Sequence, residues 1–322
     1  MGAAVASGDV KWSVMIPTYK PSSYLTETLA SLRIAIERAQ GNFQVELVDD
    51  ASPSGSPEDF AHDSGMVVAC HVQPKNGGLA SCWNECIARA RGSLIHILHQ
   101  DDIVLPDFYR EMETLEATVP EAWMLFCRTM VRRSDGSTPD TLEQEHAGII
   151  PGWLEKISRG QRLLCPSVVV RKSTYARIGG FDGRLKFVID WEMWVRIAAA
   201  GPVAYLPTPL VEYRVHDQSE TARLKSSGFI TDDLVVAYRV LSAALRDHGN
   251  TQYSRGLFDF LAWCSWDAAS SAEQHGNAYA ARREAWSALK HWILLLRPRQ
   301  SLRLARLLVR SVFATRVQAA HD

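Results

Sequence analysis

The chain has 322 residues, of which 47% are hydrophobic and 22% charged, and its formal net charge is −1. This length and composition allow one sizeable globular domain with a smaller appendage, and we do not expect a disordered chain. The low charge, without a basic run interleaved with aromatic residues, argues against nucleic acid as a partner. The cysteines lack the spacing of a zinc site, which predicts a reducing compartment. We find neither a signal-peptide pattern nor a run of about 18 apolar residues, so we expect a cytoplasmic chain that is neither secreted nor membrane-spanning.

Short apolar runs alternate with amphipathic patterns over the first 130 residues. The patterns predict strands at 12–16, 43–48, 67–72 and 94–98 and helices at 22–40, 79–91 and 106–118. Strands and helices in alternation predict a parallel α/β sheet. In such sheets ligands bind beyond the carboxyl ends of the strands, so the residues after each strand are candidates for a site.

Polar residues follow three of the predicted strands. They are Pro17–Lys20 after the first strand, Asp49–Ser54 after the second and His99–Asp102 after the fourth. Because these strand ends share one edge of the predicted sheet, we expect the three clusters to line that edge together. The first cluster lacks G-x-G-x-x-G and G-x-x-x-x-G-K-[ST], which excludes the usual dinucleotide fingerprint and a P-loop.

The residues of this edge have two interpretations each. Asp101 and Asp102 repel each other as neighbours, which favours a bound cation, but aspartates at strand ends also build turns and cap helices. Asp50 can accept the imide N–H of uracil or thymine while Tyr19 stacks on the base, or Asp50 starts a turn and Tyr19 belongs to the core. The glycines at 77–78 either bring backbone N–H groups close to a diphosphate or form an ordinary turn.

Four motifs in order resemble those of the family 2 glycosyltransferases. They are Val14–Tyr19, Val45–Ser52, Asn76–Ala80 with Asn84, and Leu98–Asp102. A fifth stretch comprises Gly179–Asp182, Ile189–Arg196 and Leu210–His216. Each motif alone is weak, but their order and spacing match over about 220 residues.

The resemblance implies a GT-A fold, an α/β fold whose Rossmann-like nucleotide-binding sheet is flanked by helices, with a C-terminal α-helical extension. It implies a catalytic domain at 1–225, with nucleotide-sugar binding at about 10–130 and the acceptor side at about 131–225, and a helical region at 226–322. It implies that Asp190 is the catalytic base. The donor-binding residues that it implies are Pro17, Thr18, Tyr19, Asp50, Asn76, Gly78 and Asp101. The implied metal ligands are Asp102 and His216, and the implied acceptor contacts are Trp191 and Glu192.

The chemistry of sugar transfer agrees with these roles. A hydroxyl needs a carboxylate such as Asp190 to take its proton as it attacks the anomeric carbon. A divalent cation, Mg²⁺ or Mn²⁺, best meets the negative charge that develops on a departing nucleoside diphosphate, and Asp102 is its expected ligand. Asp101 then binds the ribose hydroxyls or a metal-bound water. His216 either completes the metal shell, touches the diphosphate or is an ordinary surface or core histidine. One base without an enzyme nucleophile implies inversion.

Two residues depart from the family pattern. His99 stands where the family often has an aspartate, and we expect it to tune the pocket. Ile189 stands where the family often has a glutamate, so the base lacks an acidic neighbour that would raise its pKa, and we expect it to stay ionised at neutral pH.

The rest of the chain predicts a flap and a helical end. Residues 131–160 are polar and irregular, which predicts a flap over the acceptor site, and 164–171 form a predicted strand. From residue 229 the sequence has long helical patterns rich in alanine and leucine. An amphipathic segment near the end carries arginines without acidic residues: Arg297, Arg299, Arg303, Arg306, Arg310 and Arg316. Such a helix either lies on an anionic membrane surface, placing the chain on the inner face of the cytoplasmic membrane, or packs on the catalytic domain.

The expected function is an inverting, metal-dependent transfer of one sugar from a UDP- or dTDP-linked donor to a hydroxyl of a glycan or lipid-linked acceptor. The resemblance to bacterial enzymes suggests cell-surface polysaccharide synthesis. A processive synthase is disfavoured because membrane spans and a Q-x-x-R-W motif are absent from the sequence. A nucleotidyltransferase is an alternative, although it would need a glycine-rich basic loop after the first strand. A non-catalytic nucleotide-sugar-binding protein is another, and the role of Asp190 separates it from an enzyme.

Overall fold

The computed structural model describes residues 10–66, 68–133, 146–292 and 305–306. Contacts within the chain divide it into two compact units. The first unit consists of Met1–Trp153, Arg162–Asp182 and Ala200–Val215, and the second of Leu154–Gln161, Gly183–Ala199 and His216–Asp322. This division by contacts differs from the functional boundary at residue 225, which stays a prediction.

The secondary structure alternates between strands and helices at first and is helical towards the end. The strands are β1 (Trp12–Thr18), β2 (Phe43–Asp49), β3 (Ala69–Val72), β4 (Leu94–Ile97), β5 (Ile103–Val104), β6 (Met124–Arg132), β7 (Gly148–Ile149), β8 (Val168–Arg171) and β9 (Val203–Arg214). The helices before residue 201 are α1 (Ser23–Glu37), α2 (Pro57–Asp63), α3 (Leu79–Arg89), α4 (Phe108–Thr118), α5 (Trp153–Ser158), α6 (Lys172–Ile178) and α7 (Ile189–Ala200). The later helices are α8 (Glu220–Lys225), α9 (Ile230–Asp247), α10 (Ser254–Gln274) and α11 (Ala278–Trp292). Single 3-10 turns occur at Cys165–Ser167 and Thr251–Tyr253.

The strands of the first unit form one mixed sheet. Its order is β3-β2-β1-β4-β8-β6-β9-β5, and the short strand β7 also pairs with β9. The first four strands are parallel, as predicted from the alternation. The sheet as a whole is not parallel, because β8 runs antiparallel to both β4 and β6. An apolar run indicates that a strand is buried and says nothing about its direction, which explains this difference.

The first unit has its core on both faces of β1. All seven residues of that strand are buried, as expected for a central strand with helices on both sides. The Trp12 ring packs edge-on against Tyr109, with the ring centres 5.0 Å apart. Leu25, Leu29 and Leu32 of α1 are fully buried, which is the one-turn spacing of an amphipathic helix.

Most predicted elements of the first 130 residues are present with shifted ends. The helix predicted at 106–118 begins at Phe108, and the strand predicted at 164–171 is a 3-10 turn followed by β8. The strand predicted at 67–72 corresponds to β3, and residue 67 lies outside the described residues. Residues 134–145 of the predicted flap also lie outside them, as does the arginine-rich segment except for 305–306.

The second unit is built mainly from α9, α10 and α11. Their apolar faces are fully buried at Leu234, Leu241, Leu245, Leu257, Leu261, Ala269, Ala285 and Ala288. Within the part of the chain that the structure describes, no helix combines the length and the apolar character that crossing a membrane requires.

All six cysteines are free thiols. Cys82, Cys86, Cys127 and Cys165 are buried, and Cys70 and Cys264 are half-buried. Burial raises the pKa of Cys70 to about 11 and the pKa of Cys264 to about 12. Burial also raises the pKa of Cys86 and Cys127 far above the ordinary value of a thiol.

Candidate active site

The loops after β1 and β2 are tied together by buried polar groups. The Asp49 carboxylate accepts hydrogen bonds from the Thr18 hydroxyl at 2.9 Å and from the N–H and hydroxyl of Ser52 at 2.8 and 2.7 Å. The Ser52 hydroxyl in turn accepts the Lys20 N–H at 2.8 Å. Lys20 and Ala51 both have positive φ, at 49° and 54°, a conformation that non-glycine residues adopt only where contacts enforce it. The Asp49 carboxylate therefore holds this edge of the sheet together, and the residues beside it are the candidates for contact with a ligand.

Asp50 holds the glycine loop in front of α3. Its side chain is 4% exposed, and its two oxygens accept the N–H groups of Gly77 at 2.8 Å and Gly78 at 2.9 Å. Asn76 donates its side-chain amide to the Asp50 carbonyl at 3.1 Å. Burial raises the pKa of Asp50, and the two glycine amides oppose that rise. The structure thus brings together Asp50, Asn76 and Gly78, which were all predicted to bind the donor, although 26 positions separate Asp50 from Asn76. Each carboxylate oxygen has a further lone pair for the imide N–H of a nucleotide base. That contact with Asp50 stays a prediction.

Tyr19 lies at the same edge with 40% of its surface exposed. Gln100 fixes its backbone: the Gln100 side chain accepts the Tyr19 N–H at 3.2 Å and donates to the Tyr19 carbonyl at 3.1 Å. The Lys20 ammonium lies 5.2 Å from the centre of the Tyr19 ring. The ring is therefore accessible to a stacking partner, whereas Pro17 and Thr18 at the strand end are buried.

Asp102 is held rigidly at the end of the loop after β4. Its side chain is fully buried, and its Oδ1 accepts the Arg214 N–H at 2.9 Å. Its carbonyl accepts the hydroxyl of Thr28, on α1, at 2.8 Å. Its Oδ2 is buried and receives no well-aligned hydrogen bond, although Nδ1 of His99 lies 3.3 Å away. A buried carboxylate oxygen without a donor is costly, which indicates that a further positive group belongs there.

His99, Asp101 and Asp102 fit a divalent cation. One ligand atom from each of the three side chains lies within 4.8 Å of the others. The His99 ring stacks on Trp83, with the ring centres 5.4 Å apart, which fixes its orientation. Burial raises the pKa of Asp102 to about 6; His99 opposes this rise and the charge of Asp101 adds to it. Two carboxylates and one imidazole are ligands that Mn²⁺ accepts and Mg²⁺ accepts less readily.

From the sequence we expected His99 only to tune the pocket, not to bind a metal ion. The signal that could have pointed to it is its spacing: His99 and Asp102 are three residues apart across a turn, which brings their side chains to the same side. The contribution of Thr28 had no such signal, because its partner lies 74 positions further along the chain.

Asp190 lies in the second unit, in the first turn of α7. Its carboxylate accepts the Trp191 N–H at 2.7 Å and the side-chain amide of Gln161 at 3.1 Å, and the residue is half-buried. These two bonds fix the direction of the carboxylate.

Of the other predicted residues of the second unit, Trp191 and Glu192 are less accessible than Asp190. Trp191 is 1% exposed and its indole N–H donates to the Ile157 carbonyl at 2.9 Å. Glu192 is fully buried and pairs with Arg196 at 2.5 Å. Burial does not favour the predicted acceptor contacts of these two side chains, which stay predictions. His216 follows β9, is half-buried, and its metal role is likewise a prediction.

Comparisons with known proteins agree with this geometry. The family model described as glycosyl transferase family 2 matches residues 13–124. An uncharacterized glycosyltransferase of Rickettsia typhi is 26% identical over 218 residues, covering 65% of each chain. The putative glycosyltransferase EpsH of Bacillus subtilis is 25% identical over 264 residues, covering 77% of this chain and 73% of the relative. The chain thus spans about two thirds of the length of the Rickettsia relative that it matches.

Solved structures show the same fold. S. aureus TarS 1-349 in complex with UDP-GlcNAc has a TM-score of 0.65 and 16% identity, covering 94% of this chain and 89% of that one. The mannosyltransferase PcManGT from Pyrobaculum calidifontis, in complex with GDP-Man and Mn²⁺, has a TM-score of 0.55 and 17% identity, covering 95% of this chain and 87% of that one. Residues 13–124 are thus similar to the family 2 glycosyltransferases, and the chain has the GT-A fold.

Proposed function

We propose that the chain transfers one sugar from a UDP- or dTDP-linked donor to a hydroxyl of a glycan or lipid-linked acceptor, with metal assistance and inversion. The observation that carries this proposal is the edge of the first unit, where Asp50, after β2, binds the glycine loop and the cluster of His99, Asp101 and Asp102 follows β4. Both strands pair with β1. The similarity to TarS, solved with UDP-GlcNAc, supports a nucleotide-sugar donor.

In the donor site, Tyr19 would stack on the base and Asp50 would accept its imide N–H. The exposed Tyr19 ring and the remaining lone pairs of Asp50 support these roles. Gly78 has open space where a Cβ would stand, so a diphosphate can approach the backbone there closely, whereas the corresponding space at Gly77 is filled by Ser81. We assign the ribose hydroxyls or a metal-bound water to Asp101.

The metal would be held by Asp102 with His99 as the nitrogen ligand, and His216 is a further candidate. Asp101, in the same cluster, would contact the metal through its bound water if it does not bind the ribose. When bound, Mg²⁺ or Mn²⁺ neutralises the negative charge that develops on the leaving diphosphate. The PcManGT complex with Mn²⁺ supports a metal in this fold. Asp102 is already oriented for the role by Arg214 and Thr28.

Asp190 would act as the base. Its carboxylate takes the proton of the acceptor hydroxyl while the oxygen attacks the anomeric carbon, which avoids forming a free alkoxide. A single attack with no enzyme nucleophile inverts the anomeric configuration. General base catalysis contributes about 10²–10⁴-fold to the rate, so loss of Asp190 should be expressed in turnover rather than in donor binding.

The donor half of the proposal is tested by binding. UDP-, dTDP- and GDP-linked sugars are screened by thermal shift with and without Mn²⁺ or Mg²⁺, since a ligand at a hundred times its dissociation constant stabilises by about 2.7 kcal/mol. We expect a metal-dependent shift with a uridine or thymidine donor. Absence of a shift with every nucleotide and metal would refute the donor site.

The catalytic half is tested with Asp190→Asn and a matched control, Asp259→Asn, which alters an exposed carboxylate on α10. Donor hydrolysis, followed as release of nucleoside diphosphate with water as the acceptor, should fall at least a hundredfold in Asp190→Asn and stay unchanged in the control. Full activity of Asp190→Asn would show that another group is the base. A wild-type protein that released no diphosphate would instead favour the non-catalytic alternative.

A lipid-linked acceptor would be met at a membrane surface. On α11, Tyr279 and Trp286 are 56% and 65% exposed, and Arg282 and Lys290 are exposed on the same helical face. Aromatic and basic side chains together are typical of helices that lie in the interface of an anionic bilayer. We expect the chain to sediment with phosphatidylglycerol vesicles, and Trp286→Ala to weaken that binding. The control Trp263→Ala removes an exposed tryptophan of α10 instead. Equal binding to phosphatidylcholine vesicles would contradict an electrostatic contact.

A further inference from the structure

Asp233 is a buried carboxylate on α9 that bonds to the backbone just before α7. Its Oδ1 accepts the N–H of Lys186 at 2.7 Å, and its Oδ2 accepts the N–H groups of Phe187 at 2.9 Å and Val188 at 3.2 Å. The side chain is 9% exposed. These three consecutive amides precede the helix, so no helical carbonyl is available to them, and Asp233 is the acceptor that replaces it.

A second buried carboxylate holds the helix that carries Asp233. Glu284, on α11, is 1% exposed and accepts the N–H groups of Ile230 at 2.7 Å and Thr231 at 2.8 Å. Ile230 and Thr231 are the first two residues of α9, whose N-terminus favours a negative charge through its unpaired amides and its dipole. Glu284 thus caps α9 from a neighbouring helix, and Asp233 stands one turn further along.

The two carboxylates link three elements in series within the second unit. Glu284 connects α11 to α9, and Asp233 connects α9 to the segment 186–188, which leads directly into α7. Asp190 is two residues beyond Val188, whose carbonyl accepts the first helical hydrogen bond from Glu192 at 2.9 Å. Any shift of the segment would therefore move the first turn of α7, and with it the Asp190 carboxylate.

We propose that Asp233 is a positioning residue for Asp190, and that Glu284 supports it by fixing α9. The inference rests on the proposed role of Asp190 as the base. The helices beyond residue 226 then have a part in the reaction, because they set where the base stands. A displacement of about 1 Å in a reacting group can cost about a hundredfold in rate, so a loss of this anchoring should be visible in turnover.

The test compares Asp233→Ala, Asp233→Asn and the control Asp232→Ala. Asp232 is the adjacent residue, and it contacts Arg283 and Ser287 rather than the segment before α7. Asparagine keeps one acceptor oxygen and should lose only part of the anchoring. The readouts are kcat and KM for donor hydrolysis with water as the acceptor, measured well below the melting temperature, and amide exchange at 186–188.

We expect kcat to fall at least tenfold in Asp233→Ala, by less in Asp233→Asn and by under twofold in Asp232→Ala, with the donor KM unchanged throughout. Exchange at 186–188 should accelerate in both Asp233 variants. Unchanged kcat in Asp233→Ala, while Asp190→Asn is inactive, would overturn the positioning role and leave the proposed function standing. Full activity of Asp190→Asn would instead refute the base assignment itself. If Asp233→Ala fails to fold, Asp233→Asn decides: faster exchange with wild-type kcat would overturn the inference.

Discussion

The hydroxyl of Thr28 offers a direct test of how the loop with the proposed metal ligands His99, Asp101 and Asp102 is held. Thr28 is fully buried on α1, and its oxygen lies 2.8 Å from the Asp102 carbonyl and 3.1 Å from the Gln100 carbonyl. Valine has nearly the same shape but no donor, so Thr28→Val opens no cavity and only removes this bond. A buried acceptor that loses its donor costs about 1–3 kcal/mol in the free energy of unfolding. For a domain of this size that lowers the melting temperature by about 2–4 °C per kcal/mol.

The consequence for the cluster is separated from the loss of stability by a matched variant. Thr174 is also buried and donates its hydroxyl to the Trp123 carbonyl at 3.0 Å, away from the cluster. Urea unfolding should show similar losses for Thr28→Val and Thr174→Val. Calorimetric titration with Mn²⁺ should show weaker binding only for Thr28→Val. If about 1.4 kcal/mol of the lost free energy falls on the loop that carries His99, Asp101 and Asp102, the Mn²⁺ affinity falls tenfold.

Two results would refute this reasoning. The first is a Thr28→Val protein whose free energy of unfolding stays within about 0.5 kcal/mol of the wild type, which is the range of ordinary surface substitutions. The second is an equal loss of Mn²⁺ affinity in Thr174→Val, which would mean that general destabilisation controls the site.

Three further substitutions have expected outcomes. Asn84→Ala removes the paired hydrogen bonds between this side chain and the backbone of Phe181, at 2.8 and 2.9 Å, and should lower the free energy of unfolding in urea by about 2 kcal/mol. Gly201→Ala would place a Cβ 2.3 Å from the Trp123 ring, and we expect a cost of about 1–3 kcal/mol by thermal denaturation, since the indole must move. His99→Phe keeps an aromatic ring in place but removes the nitrogen ligand, and Mn²⁺ affinity by calorimetry should fall at least about tenfold, whereas an unchanged affinity would remove His99 from the metal shell.

Local patterns in the sequence were sufficient for most elements of the first 130 residues. Strands β1 and β4 are mostly apolar, and β2 alternates apolar with polar residues up to Leu47. The edge that they form carries the predicted clusters. The short helix α2 was not predicted, although its signal is present: the Ser56 side chain caps it, Pro57 opens it and Glu58 lies in its first turn.

What could not be predicted depends on contacts between distant segments. The direction of β8 is set by its pairing with β4 and β6, and no property of its own four residues encodes it. The bonds of Asp233 and Glu284 reach across 45 to 54 positions, and periodicity, which works within one element, cannot pair them. The motifs indicated Asp190 as a candidate base, whereas only the structure shows which groups bond its carboxylate.

The burial of the thiols has a practical consequence for studying the loop before α7. The thiolate is the form that reacts with maleimides, and the raised pKa values of Cys70, Cys86, Cys127 and Cys264 keep these groups protonated at neutral pH. A cysteine introduced at Gly183, which is exposed and has open space for a Cβ, should therefore outcompete them for a fluorescent label. Cys82 and Cys165 are buried as well, so the native thiols should compete little with a probe placed three residues from the first amide that Asp233 binds.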